Sequence, residues 1–111
     1  MKPIYLLISL TLLLTSLVHS QETYTVGNTE YYYNQTYSTT GKQKVKRSEA
    51  NKKEFLRSKG YDSTPYGYEI DHIIPLSQGG TDDPSNMQLL TIEQHKRKTA
   101  RERSTTTTYG N

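Results

Sequence analysis

Residues 69–98 read EIDHIIPLSQGGTDDPSNMQLLTIEQHKRK, and this stretch fixes most of what the chain can be. Tyr66 to Ile74 is rich in Tyr and Ile, which predicts a strand, closed by Pro75 and by Gly79-Gly80 inside a polar loop. Met87 to Leu90 is a second short apolar run. Thr91 and Gln94 stand three apart, as in a capping box, so a helix is expected from Thr91 to about Arg103. The predicted order is strand, loop, strand, helix. An acid precedes a His on the first strand (Asp71, His72), an Asn follows 14 residues after that His (Asn86), and a further His nine residues later lies on the helix (His95). Such a chain folds back on itself, so these side chains can face one cation. Carboxylate and imidazole suit Mg²⁺, Mn²⁺ or a later transition metal. A His kept off the metal is the natural base at neutral pH, and an Asn can brace a loop without competing for the ion.

Before this stretch, Ser48 to Lys59 predicts a helix with Ser48 as N-cap, Arg57 and Lys59 at its carboxyl end, and Gly60 beyond. Its apolar residues are few (Ala50, Phe55 and Leu56), so one narrow stripe packs. Gln21 to Thr40 is rich in Tyr, Thr and Asn. Within it Gly27-Asn28 suits a two-residue hairpin turn between Tyr24–Val26 and Thr29–Tyr33, and the Tyr cluster has rings able to stack on bases. Ser104 to Asn111, with four consecutive Thr, reads as a disordered tail.

Residues 1–20 read as a secretory signal peptide. Lys2 supplies the positive start, Ile4 to Val18 an apolar run of 15 residues, and Val18-His19-Ser20 the cleavage region. A spanning helix needs about 20 apolar residues, so cleavage is expected rather than anchoring. The expected location is therefore secreted or periplasmic, with no membrane contact after cleavage. Removing 20 of the 111 residues leaves 91, with no Cys for disulfides or a zinc ribbon. So thin a core favours help from a bound metal. The net charge of +3 is uninformative, but its placement is not. Eight basic residues lie between Lys42 and Lys59 and five between Lys96 and Arg103, whereas Gly60 to His95 holds six acids and no Lys or Arg. An acidic centre between basic flanks suits a cation site bordered by phosphate-binding surfaces.

Taken together, Asp71-His72-Ile73-Ile74-Pro75-Leu76, Gly79-Gly80, Ser85-Asn86-Met87-Gln88-Leu89-Leu90 and His95-x-x-Lys98-Thr99 resemble the HNH endonuclease family over about Tyr66 to Glu102. The resemblance implies an α+β fold: a small ββα-metal domain (42–103) with a preceding helix and a Tyr-rich N-terminal arm (21–41). It implies Asp71 and His95 as metal ligands, His72 as general base, and Asn86 as the residue that holds the loop and orients His72. It places Lys98 near substrate phosphate, with Lys96, Arg97 and Arg101 as further basic contacts. Thr99 stands where some members carry another His, one turn past His95. The cofactor expected is one divalent ion, Mg²⁺ or Mn²⁺ ahead of Zn²⁺ or Ni²⁺. The expected activity is phosphodiester hydrolysis in nucleic acid, DNA first, with low sequence preference. The alternative is an exported nucleic-acid-binding module that does not cut. An immunity or inhibitor protein is compatible with a toxic nuclease, but no feature of the chain requires one.

Overall fold

The computed structural model describes residues 21–109, with side chains to Thr105, so the signal segment lies outside the described residues. The fold is α+β. Two antiparallel sheets and two helices follow the order β1 (Thr23–Val26), β2 (Thr29–Thr36), β3 (Gln43–Lys46), α1 (Glu49–Ser58), β4 (Tyr68–His72), β5 (Met87–Thr91) and α2 (Ile92–Tyr109). Short 3₁₀ turns at Leu76–Gln78 and Pro84–Asn86 punctuate the β4–β5 loop. No described helix is long and apolar enough to cross a membrane.

The Tyr-rich segment is built into a sheet in the order β1-β2-β3 rather than forming an arm set apart at residue 41. Gly27 turns the first hairpin at φ 60, and Asn28 needs no left-handed backbone, the pattern of a type II′ turn. Tyr24 stacks on its cross-strand partner Tyr31 at 5.3 Å and leans on Tyr33 at 4.7 Å, so these rings already pack on one another. β3 was hidden in the sequence because Gln43–Lys46 carries only one apolar residue, the buried Val45.

α1 starts and stops where its chemistry predicts. The Ser48 side chain accepts from Asn51 N–H. At the other end Gly60 N–H donates to Arg57 and Tyr61 N–H to Leu56, a Schellman closure with Gly60 at φ 85. Its narrow apolar face puts Phe55 and Leu56 against Met87, with Ile70 and Leu89 around them. Those five side chains join α1 to the β4–β5 pair and make up the core. α2 opens on the expected reciprocal cap: Gln94 N–H donates to Thr91 Oγ1 and Thr91 N–H to Gln94 Oε1.

α2 then runs past Arg103 to Tyr109, where a disordered tail was expected from Ser104. The hydroxyls of Ser104 and Thr105 donate back to the Arg101 carbonyl, at i−3 and i−4, which lets short polar side chains ride on a helix instead of competing with it.

Candidate functional site

β4 and β5 pair with Asp71 opposite Gln88 and His72 opposite Met87. Alternation along β4 sends Asp71 and Glu69 to one face, His72 and Ile70 to the other. α2 packs on the Asp71 face. There Asp71 Oδ1 lies 3.5 Å from His95 Nε2, while Glu69 hydrogen-bonds to His95 Nδ1. That contact lets Nδ1 donate to Glu69, which would free Nε2, facing the Asp71 carboxylate, to bind an ion. A carboxylate behind an imidazole in this way is the usual support of a metal-binding His. Asp71 Oδ1 and His95 Nε2 therefore fit a divalent ion, and solvent and phosphate oxygens would have to complete its shell. Among the described residues no three acidic, His or Cys side chains converge to hold a metal by themselves.

The other Asp71 oxygen is engaged elsewhere. Oδ2 accepts from Gln88 Nε2 at 3.1 Å and faces Lys98 Nζ at 3.1 Å. Lys98 also donates to the His72 carbonyl and to Glu102, and only 15 % of its side chain is exposed. Burial opposes the Lys98 ammonium, but the Glu102 and Asp71 carboxylates outweigh it and hold the amine above its usual range. Lys98, expected at a phosphate, is thus a fixed counter-ion of Asp71. Of the other basic residues expected to meet nucleic acid, Arg101 shares with Lys98 a groove of about 890 Å³ that also takes in Ile73, Gln88 and Glu102. Lys96 borders a smaller cleft on the His95 side, and Arg97 is exposed.

On the opposite face, His72 Nε2 meets Asp82 Oδ1 at 2.9 Å. Asp82 is 2 % exposed and tied on every side. Its Oδ2 accepts from Ser48 N–H at 2.7 Å, its N–H donates to the fully buried Thr29 Oγ1 at 3.0 Å, and its carbonyl accepts from Asn51 Nδ2 at 3.1 Å. The N-terminal sheet thus reaches into this site. A cleft of about 340 Å³ opens beside His72 and is bordered by Arg47 and Lys52, neither of which forms an ion pair among the described residues.

Asn86 is buried and holds the loop: its Oδ1 accepts from Ile74 N–H, and its Nδ2 donates to the Ile74 and Thr81 carbonyls. It gives no hydrogen bond to the His72 ring, whose partner is Asp82 instead. Gly80 completes the loop by passing so close to Ile74 that a Cβ there would lie 1.9 Å from the Ile74 carbonyl oxygen.

Asp82 and Glu69 were not singled out from sequence, and Arg47 and Lys52 were read only as part of the basic flank from Lys42 to Lys59. Glu69 was within reach, because residues two apart on a strand share a face and Glu69 stands two before Asp71. Asp82 was not, because its environment is assembled from β2, α1 and β4.

A pair of strands and a following helix that gather an acid, two His and a loop-bracing Asn define a small α+β domain compatible with the ββα-metal fold. Residues 53–101 match the model of the HNH endonuclease family, a span that contains Asp71, His72, Asp82, Asn86 and His95 and leaves the β1–β3 sheet outside. HNH domains are in general nucleases that act on nucleic acid with a divalent metal. No curated protein matches the chain.

Proposed function

We propose that this chain is an exported, metal-dependent endonuclease that hydrolyses phosphodiester bonds, with DNA as its first substrate and little sequence preference. The observation that carries the reading is the meeting of Asp71 Oδ1 and His95 Nε2 at 3.5 Å, with His95 backed by Glu69 and with His72 next in the chain to Asp71. A divalent ion held by Asp71 and His95 would offset charge on the scissile phosphate and the departing 3′-oxygen. His72 acts as general base: it takes a proton from a water molecule as that water's oxygen attacks phosphorus in line. The new P–O bond replaces the bond to the 3′-oxygen, which leaves with the bonding pair and takes a proton from solvent, so the products carry 5′-phosphate and 3′-hydroxyl ends. Lys98 holds the Asp71 carboxylate in place from its second oxygen, and Asn86 fixes the loop behind both residues. Export rests on residues 1–20 alone.

The test is cleavage of plasmid DNA, single-stranded DNA and RNA by the mature chain, with and without Mg²⁺ or Mn²⁺, beside the His72→Ala variant. His72→Ala should lose cleavage by about 10²–10⁴-fold while still binding the ion, because the base is not a ligand. Cleavage by wild type that persists in a chelator would refute the metal, and near-wild-type cutting by His72→Ala would refute the base. A chain that binds nucleic acid but cuts none of the three would be a binding module.

A further inference from the structure

We propose that Asp82 is a positioning residue that sets the tautomer of His72, so that Nδ1 is the atom that takes the proton. This rests on the reading of His72 as the general base. An ionised carboxylate only accepts hydrogen bonds, so the 2.9 Å contact from Asp82 Oδ1 to His72 Nε2 requires a proton on Nε2. A neutral imidazole has one N–H, which leaves the lone pair on Nδ1. That nitrogen makes no hydrogen bond, yet no buried side-chain nitrogen or oxygen among the described residues lacks a partner. Nδ1 is therefore open to solvent, on a side chain that is otherwise only 16 % exposed.

Asp82 is placed to impose this choice rather than follow it. Its second oxygen is held by the Ser48 N–H, its own N–H by Thr29 and its carbonyl by Asn51. With the backbone pinned at both polar groups and one carboxylate oxygen tied to the start of α1, the other oxygen has one place to go. His72 must donate to it.

Asp82→Asn separates the tautomer from the packing. The variant is nearly isosteric, but its amide has a single oxygen. The Ser48 N–H still demands an acceptor, so the oxygen turns to Ser48 and the NH₂ faces His72. Nε2 then has to accept, the proton moves to Nδ1, and Nδ1 can no longer take a proton from water. Asn51→Ala is the comparator, since it removes a bond to the Asp82 carbonyl and leaves the carboxylate intact.

The experiment is long-range ¹H–¹⁵N spectroscopy of the ¹⁵N-labelled mature chain without added metal, at alkaline pH where imidazoles are neutral. His72→Gln identifies the His72 signals. In wild type, His72 should show a pyrrole-type Nε2 and a pyridine-type Nδ1. In Asp82→Asn the two types should exchange, turnover of plasmid DNA should fall about 10²–10⁴-fold, and KM should hold. Asn51→Ala should keep the wild-type pattern. A wild-type spectrum with the proton on Nδ1 overturns the proposal without needing any variant. So does a folded Asp82→Asn that keeps either the wild-type signals or wild-type turnover. Failure of wild type to cut would instead overturn the base assignment while leaving the tautomer to be decided by the spectrum.

Discussion

Gly79-Gly80 looks like a generic flexible turn, yet the two residues should respond very differently to a single methyl group. At Gly80 a Cβ would lie 1.9 Å from the Ile74 carbonyl oxygen, 2.7 Å from its carbon and 2.9 Å from the Pro75 oxygen, all backbone atoms with no rotamer to escape into. Relief requires Ile74 to move, and Ile74 carries two of the three hydrogen bonds of the Asn86 brace. Gly80 N–H also donates to Pro75 at 3.0 Å. Three bonds at about 1 kcal/mol each, with an overpacking cost of about 1–3 kcal/mol, give a destabilisation of about 4–6 kcal/mol for Gly80→Ala. In a domain of this size that is a fall in Tm of roughly 15–50 °C, a large part of the whole stability. Gly79→Ala meets only the flexible end of Lys42 at 3.6 Å and must tolerate φ 94, a cost of about 1–2 kcal/mol. Urea unfolding followed by far-UV circular dichroism measures both variants. Gly80→Ala within 1 kcal/mol of Gly79→Ala would show that the loop is not braced as described.

Two further outcomes bear on the site. Glu69→Ala should weaken binding of Mn²⁺ by about 10–100-fold in calorimetry, because His95 loses the carboxylate that fixes its tautomer; unchanged affinity would remove Glu69 from that role. Arg47→Ala with Lys52→Ala should weaken duplex binding by the uncleaving His72→Ala chain and flatten its salt dependence by about 0.9 in log–log slope for each phosphate that is no longer neutralised; an unchanged slope would leave the cleft beside His72 without nucleic acid in it.

What could be read from sequence was local. Ser48 and Gly60 marked α1, Thr91 and Gln94 the start of α2, and Gly27-Asn28 the hairpin, because each signal is completed by backbone groups a few residues away. What could not be read was assembled from distant parts. Val45 alone did not announce β3, so the way the N-terminal sheet reaches the site through Thr29 stayed hidden. Asp82 and Asp83 are equivalent on paper. Only the fold separates them, burying Asp82 under His72 while Asp83 accepts from the exposed Asn28 amide. The Lys98 contact with Asp71 Oδ2 at 3.1 Å was likewise hidden, since a basic residue beside the motif fits a phosphate or a carboxylate equally well on sequence alone.

The division of labour proposed for Asp71 and His72 would follow from their being neighbours on a strand. Consecutive side chains leave opposite faces, so one strand cannot put both into a single pocket within its own sheet. In the interior of a wide sheet, the two would be separated by paired backbone on both sides. β4 pairs only with β5, and its other edge is free among the described residues. At that edge the two faces meet. On the function proposed above, a phosphate crossing it would be reached by an ion on the Asp71–His95 side and by the base on the His72 side. The two carboxylates behind the imidazoles would then do parallel work: Glu69, at His95 Nδ1, would leave Nε2 for a metal, and Asp82, at His72 Nε2, would leave Nδ1 for a proton. On the proposed reading, two His residues in one small site would be kept in different tautomers because each has its own acid on its own face of β4.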